Sequence, residues 1–194
     1  MNRLSLVMAA LCLPLAAQQA MPLPTEIQAP SGHSPFFRAH AEGTQNYVCL
    51  PTATGLAWKF QGPQATLFVS YRWIGTTIQQ QVATHFLSPN PGESGTPARA
   101  TWQSSVDSSA VWAKKIAEST DPAYVAQGAI PWFLLEVVGT SVGPAGGASL
   151  TPATYIQRIN TAGGVTPEGG CTEAGAIRFV PYQADYVFFR ADRR

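Results

Sequence analysis

The sequence has little charge. Asp, Glu, Lys and Arg make up 12% of its 194 residues, about half the ~25% usual for a globular domain. The net charge is +1, so there is no electrostatic basis for nucleic acid or an anionic membrane surface as partner. Histidine is scarce, with only His33, His40 and His85. His33 and His40 lie farther apart than the two to five residues typical of zinc ligands on ordered turns. No metal site is expected, and nothing in the chain asks for a cofactor. After the N-terminal segment the most apolar run is AIPWFLLEVV (129–138), far short of the ~20 residues that span a membrane as a helix. Helical periodicity is almost absent. The shortage of charge does not imply disorder, because apolar residues reach 45% and disordered chains are charge-rich and apolar-poor. Seventeen glycines and sixteen prolines are spread along the chain, which predicts many turns.

Cysteine is also rare. The first of three, Cys12, lies in a segment with the pattern of an export signal. Arg3 supplies the positive start, Leu4 to Ala16 the apolar stretch, and Ala16, Ala17 and Ala20 small residues for cleavage. Residues 1–20 are therefore expected to be a signal peptide and the protein to be secreted or periplasmic. Leu11 stands where lipidation of Cys12 would require a small residue. Cleavage removes Cys12 and leaves Cys49 and Cys171. Two cysteines in an oxidising compartment read as one disulfide.

Residues 21–42 carry four prolines at 22, 24, 30 and 35 and no clear period, which predicts an extended, loosely attached lead-in. Residues 43–194 then read as one all-β domain. Gly43 to Cys49, Leu56 to Phe60 and Ala65 to Trp73 alternate or are β-branched and aromatic. Thr77 to Leu87 fits a helix at Ile78, Val82 and Phe86 and a strand at Val82, Thr84 and Phe86; strand is preferred because its neighbours are strands. Ser88 to Ala98 reads as an exposed loop, and a short helix is conceivable over Pro122 to Gln127. The run 129–138 reads as a strand buried on both faces. Tyr155 to Asn160, Ile177 to Tyr182 and Asp185 to Arg190 close the domain. The expected fold is an antiparallel sandwich or partly closed barrel of about nine short strands.

Several motifs occur in a fixed order: GTQNYVC (43–49) with a tryptophan segment after it, GPQATLF (62–68), His85 ahead of Thr101-Trp102, IPWFLLEV (130–137), YIQRINTAGGV (155–165) and VPYQADYVF (180–188). Together they resemble the secreted family catalogued as domain of unknown function 3455, over roughly Gly43 to Phe189. The resemblance implies an exported protein of bacteria or fungi and carries over no catalytic residue. Some members bear a malate dehydrogenase label, but no G-x-G-x-x-G here follows a strand and opens a helix. The loop Ser88 to Ala98 is long for the family.

Gly139 to Gly143 matches G-x-S-x-G around Ser141. A nucleophile elbow needs a helix next, whereas Pro144, Gly146 and Gly147 follow. No histidine follows Ser141 in the chain either, and a plain glycine-rich turn is the better reading. A chymotrypsin-like order of His85, Asp107 or Asp121, then Ser141 is formally available. Gly163-Gly164 suits a positive-φ turn better than an anion cradle. Arg158 and Asp185 are charged residues in otherwise uncharged strands; they read as a salt bridge before a catalytic pair. Tyr47, Tyr155, Tyr182 and Tyr186 suit a core rim or the wall of a ligand groove. The leading functional reading is an exported β-domain that binds a small molecule or a surface partner. Its candidate ligand residues are Tyr47, His85, Arg158, Tyr182, Asp185 and Tyr186. The alternative is an extracellular hydrolase or oxidoreductase with an unidentified polar site.

Overall fold

The computed structural model describes residues 23–95 and 98–193; the expected signal peptide, with Cys12, lies outside them. Eight strands follow in order: β1 (His33–Thr52), β2 (Gly55–Trp73), β3 (Thr76–Ser88), β4 (Arg99–Ser104), β5 (Ala110–Ser119), β6 (Trp132–Ser141), β7 (Tyr155–Gly163) and β8 (Ile177–Ala191). Each pairs antiparallel with the next, and β8 returns to β1, so the sheet is a closed ring. The all-β class holds, with β3 as a strand. There is no α-helix among the described residues, and Pro122 to Gln127 forms turns.

Three sequence expectations change. The ring closes fully and contains eight strands rather than about nine, because two apparent breaks are internal to long strands. Gly62-Pro63 sits within β2 where the β1 register shifts between Asn46 and Tyr47. A bulge lets a proline without an N–H stay in a strand. Gln183 and Ala184, the expected gap between Ile177–Tyr182 and Asp185–Arg190, likewise lie inside β8, paired with Glu42 and Ala41. The lead-in is also shorter and firmer than expected. β1 begins at His33, paired with Ala191, so residues 33–42 belong to the ring. Ahead of it a 3-10 turn over Thr25–Ile27 packs a fully buried Ile27 against Val125, Trp132, Leu134, Ile159 and Val187. Gln157 Nε2 donates to Ile27 O at 2.7 Å. This cover explains why the start of β6 is buried on both faces.

Alternation decides what faces inward. Ala39, Ala41, Ala65, Leu67, Ala83, Trp102, Val111, Ala113, Tyr186 and Phe188 share one buried cluster. The alanines leave interior volume for the large rings, the small-with-large filling that small barrels use. Gly43 takes this furthest: a Cβ there would lie 2.2 Å from Gln64 O, and Tyr182 stands opposite it on β8. Outward positions of β1 carry Arg38, His40, Glu42, Thr44 and Asn46, a polar face that is the reverse of the apolar band of a membrane barrel. No described helix is long and apolar enough to cross a membrane.

The expected disulfide joins Cys49 to Cys171, with Cα atoms 5.9 Å apart. It anchors the β7–β8 connection to the end of β1. Cys49 N donates to Ala176 O at 2.8 Å, Gly175 N to Cys49 O at 2.9 Å, and Trp58 Nε1 to Gly170 O at 2.7 Å. Gly163 and Gly164 have φ of 64° and 84°, the left-handed turn the sequence suggests. Tyr47 Oη donates to Gly164 O at 2.8 Å and ties this turn to the ring.

Candidate functional site

The ring interior holds a cavity of about 100 Å³. Its polar residues come from five strands: Gln45 (β1), His85 (β3), Trp102 (β4), Arg158 (β7) and Tyr186 (β8). The remaining wall is Phe60, Pro63, Leu87, Ala100, Phe133 and Leu135. Phe60 is half exposed and marks the side that meets solvent.

The strand register assembles the polar wall. His85 and Trp102 are direct partners across β3 and β4, and their rings stack at 4.2 Å with planes 7° apart. Tyr186 meets both edge-on, at 5.1 Å from His85 and 5.2 Å from Trp102. His85 Nδ1 lies 2.9 Å from Thr101 O. A carbonyl only accepts, so Nδ1 carries the proton and Nε2 is the bare acceptor of a neutral ring. Burial lowers the His85 pKa to about 3; the Thr101 hydrogen bond opposes this shift, and the nearby Arg158 charge adds to it. Burial pushes the Tyr182 and Tyr186 phenols up, so both are protonated at neutral pH. Their hydroxyls are 3.4 Å apart.

Among the described residues that line the cavity, Arg158 is the charged one. Its Nε and Nη2 donate to Pro131 O at 3.1 and 2.8 Å, and the guanidinium lies 3.8 Å over the Phe133 ring. Burial lowers its pKa, while Tyr186, Tyr182 and Tyr47 counter that shift. Two donors in this region are buried without a partner, Trp102 Nε1 and Gln45 Nε2. Gln45 lies beside the Tyr182 hydroxyl without a hydrogen bond of ordinary geometry.

Five of the six candidate residues from the sequence thus face the interior. His85, Arg158 and Tyr186 line the cavity, and Tyr47 and Tyr182 stand behind it. Asp185 does not join them. On β7 and β8, Arg158 opposes Tyr186 while Asp185 opposes Ile159. Side chains alternate faces along a strand, so Arg158 points in and Asp185 points out. The expected Arg158–Asp185 salt bridge is therefore replaced by an outer cluster. Asp185 accepts from Arg38 Nη2 at 2.7 Å and Asn160 Nδ2 at 2.8 Å, and lies 2.9 Å from His40 Nδ1. Sequence reasoning missed Gln45, Trp102 and Phe133. Gln45 carried a signal, being a polar residue in phase with the apolar positions Tyr47 and Cys49.

From residue 30 to residue 190 the chain matches the family described as Protein of unknown function (DUF3455). The chain belongs to the DUF3455 family. No curated protein and no solved structure matches it. The family match begins at Pro30, close to the start of β1, and ends within β8, so it covers the ring and every wall of the cavity. The DUF3455 motifs map onto the interior: GTQNYVC supplies Gln45 and Tyr47, the TW pair supplies Trp102, YIQRI supplies Arg158, and VPYQADYVF supplies Tyr182 and Tyr186.

The G-x-S-x-G segment has a packing explanation. A Cβ on Gly143 would lie 1.7 Å from Asp107 O, and one on Gly139 would lie 2.7 Å from the Asn90 amide. Asp107 organises this corner, accepting from Ser109 Oγ at 2.7 Å and Ser149 N at 2.8 Å; those bonds hold its carboxyl well below the usual range. Ser141 is exposed and its Oγ donates to Val142 O at 3.1 Å. Among the described residues no histidine bonds it. Gly143→Ala is expected to destabilise the fold by about 2 kcal/mol or more, because backbone must move. Ser141→Ala is expected to stay within about 0.5 kcal/mol. Urea midpoints of the two variants check this; equal midpoints would contradict the packing explanation.

Proposed function

We propose that this DUF3455 protein is an exported binding module that takes one small molecule into the interior of its ring. The leader pattern of residues 1–20 and the Cys49–Cys171 disulfide support export. The binding reading is carried by one observation: a largely apolar cavity of about 100 Å³ meets two buried donors, Gln45 Nε2 and Trp102 Nε1, that have no partner. A buried donor left unmade costs about 1–3 kcal/mol, and a guest with an acceptor atom removes that cost. Mostly apolar walls with a few convergent polar groups are the usual composition of a small-molecule site.

The test uses the mature, oxidised chain. The indole N–H resonance of Trp102, assigned by its loss in Trp102→Phe, reports on the cavity. Propan-2-ol, propionamide and propionate are titrated as probes. At least one is expected to move that resonance, and Ala100→Leu, which fills the cavity, is expected to abolish the response. A Trp102 resonance that no probe moves would sink the reading.

A further inference from the structure

We infer that the guest is a small carboxylate whose negative charge is matched by Arg158; this deepens the binding reading above and rests on it. Arg158 is almost fully buried, and a buried guanidinium stays protonated. Two of its five N–H donors converge on a single neutral acceptor, Pro131 O. The charged or ionisable groups acting on it are Tyr186, Tyr182, Tyr47 and His85, and no carboxylate is among them. Neither buried phenol supplies an anion. His85 is neutral, with its protonated Nδ1 committed to Thr101 O. Asp185, the nearest carboxylate in sequence register, faces outward and is held by Arg38, His40 and Asn160. The interior therefore carries an uncompensated positive charge, an arrangement that is strongly unfavourable unless something neutralises it.

Donors outnumber acceptors among the polar residues of the wall. Arg158, Gln45 with its unpartnered Nε2 and Trp102 with its unpartnered Nε1 stand against one bare acceptor, His85 Nε2, which suits a guest rich in acceptors. A planar carboxylate is the ordinary match for a guanidinium fork. The rest of the wall, with Leu87, Ala100, Phe133 and Leu135, suits a short hydrocarbon tail and disfavours a fully hydrated inorganic anion. Size limits the tail. A cavity of about 150 Å³ holds benzene, so about 100 Å³ holds a carboxylate of roughly four or five heavy atoms, with any longer tail leaving past Phe60.

The experiment compares probes of equal shape on the mature, disulfide-bonded chain by calorimetry and by the Trp102 resonance. Propionate is expected to bind at least about tenfold more tightly than propionamide, since a charge-assisted hydrogen bond is about twice as strong as a neutral one. Arg158→Met is expected to fold, because replacing a buried charge by an apolar chain of similar volume is often neutral or stabilising. It is expected to lose that preference. Propionamide binding as well as propionate would overturn the carboxylate assignment and leave the binding module standing. Phosphate or chloride binding more tightly than propionate would overturn it too. If none of the probes binds, both readings fail. The wild-type comparison decides the question even if Arg158→Met does not fold.

Discussion

Replacing both Cys49 and Cys171 by alanine is expected to lower the unfolding free energy by roughly 4–5 kcal/mol. The bond spans a sequence separation of 122, most of the ring. In the chain-entropy view a cross-link stabilises by restricting the unfolded chain, and a loop of that length gives about this value. Against a typical total of about 5–15 kcal/mol the loss is large. The folded state keeps other ties at the same place. Cys49 N still meets Ala176 O, Gly175 N meets Cys49 O, and Trp58 Nε1 meets Gly170 O. The variant is therefore expected to fold with the same strand content and to unfold at much lower urea. Comparing urea curves of the double variant and the oxidised wild type measures the change. A midpoint shift worth less than about 1 kcal/mol would show that the bond constrains little. Titration of denatured, unreduced wild type should find no free thiol in the mature chain.

The parts of the fold that were legible in the sequence are those fixed by local pattern or by count. With Cys12 set aside as part of the expected signal peptide, two cysteines allow one pairing. β-Branched and aromatic runs bounded by glycine and proline mark strands, and β3 read as a strand, despite its helical apolar spacing at Ile78, Val82 and Phe86, because such runs flank it. What stayed hidden depends on register and on distant pairing. Gly62-Pro63 read as a break, because a proline inside a strand is tolerated only where the partner strand's pairing allows it, and Gln183-Ala184 read as a gap between two short strands that pairing with β1 joins into one. Ring closure rests on β1 meeting β8, and no local pattern announces that contact. The lead-in looked loose because ahead of β1 only Pro24 and Ile27 are buried, with Leu23 half-buried, too few to form a period.

The candidate site was partly legible for the same reason. Tyr182 and Tyr186 share a face by simple alternation along β8, and Tyr47 falls in phase with Cys49. The error on Asp185 is one of parity: it lies one residue from Tyr186 and so faces the other way. Arg158 reaches the interior because its partner is Tyr186, ahead of the register shift between Ile159 and Ala162. Nothing in the sequence alone shows that the one interior arginine lacks a carboxylate. That follows only when every acid near it is placed, and Asp185 is placed outside.

Acidification should expose His85 as a large stability term. Its pKa is lowered from an ordinary 6.5 to about 3 in the folded chain, because burial penalises the charged ring and the Arg158 charge adds to that penalty. The unfolded chain takes up the proton near pH 6.5, and the folded chain resists until about pH 3. Between these values the unfolded state binds more protons, so stability falls as pH falls. Above about 6.5 the ring is neutral in both states and contributes no pH dependence. The slope approaches 1.4 kcal/mol per pH unit, or roughly 2–3 kcal/mol between pH 6.5 and 4.5. Shifted carboxylates such as Asp107 and Glu93 are also lowered. Their linkage begins only near the ordinary carboxylate range of about 4, below most of the His85 window. His85→Gln keeps an N–H for Thr101 O and removes the titration. The free energy of unfolding, measured by urea at steps from about pH 7 to 4.5, should fall steeply in wild type and little in His85→Gln. Parallel curves for the two proteins would mean that His85 does not titrate on unfolding, and the neutral, Thr101-bonded ring beside Arg158 would be wrong.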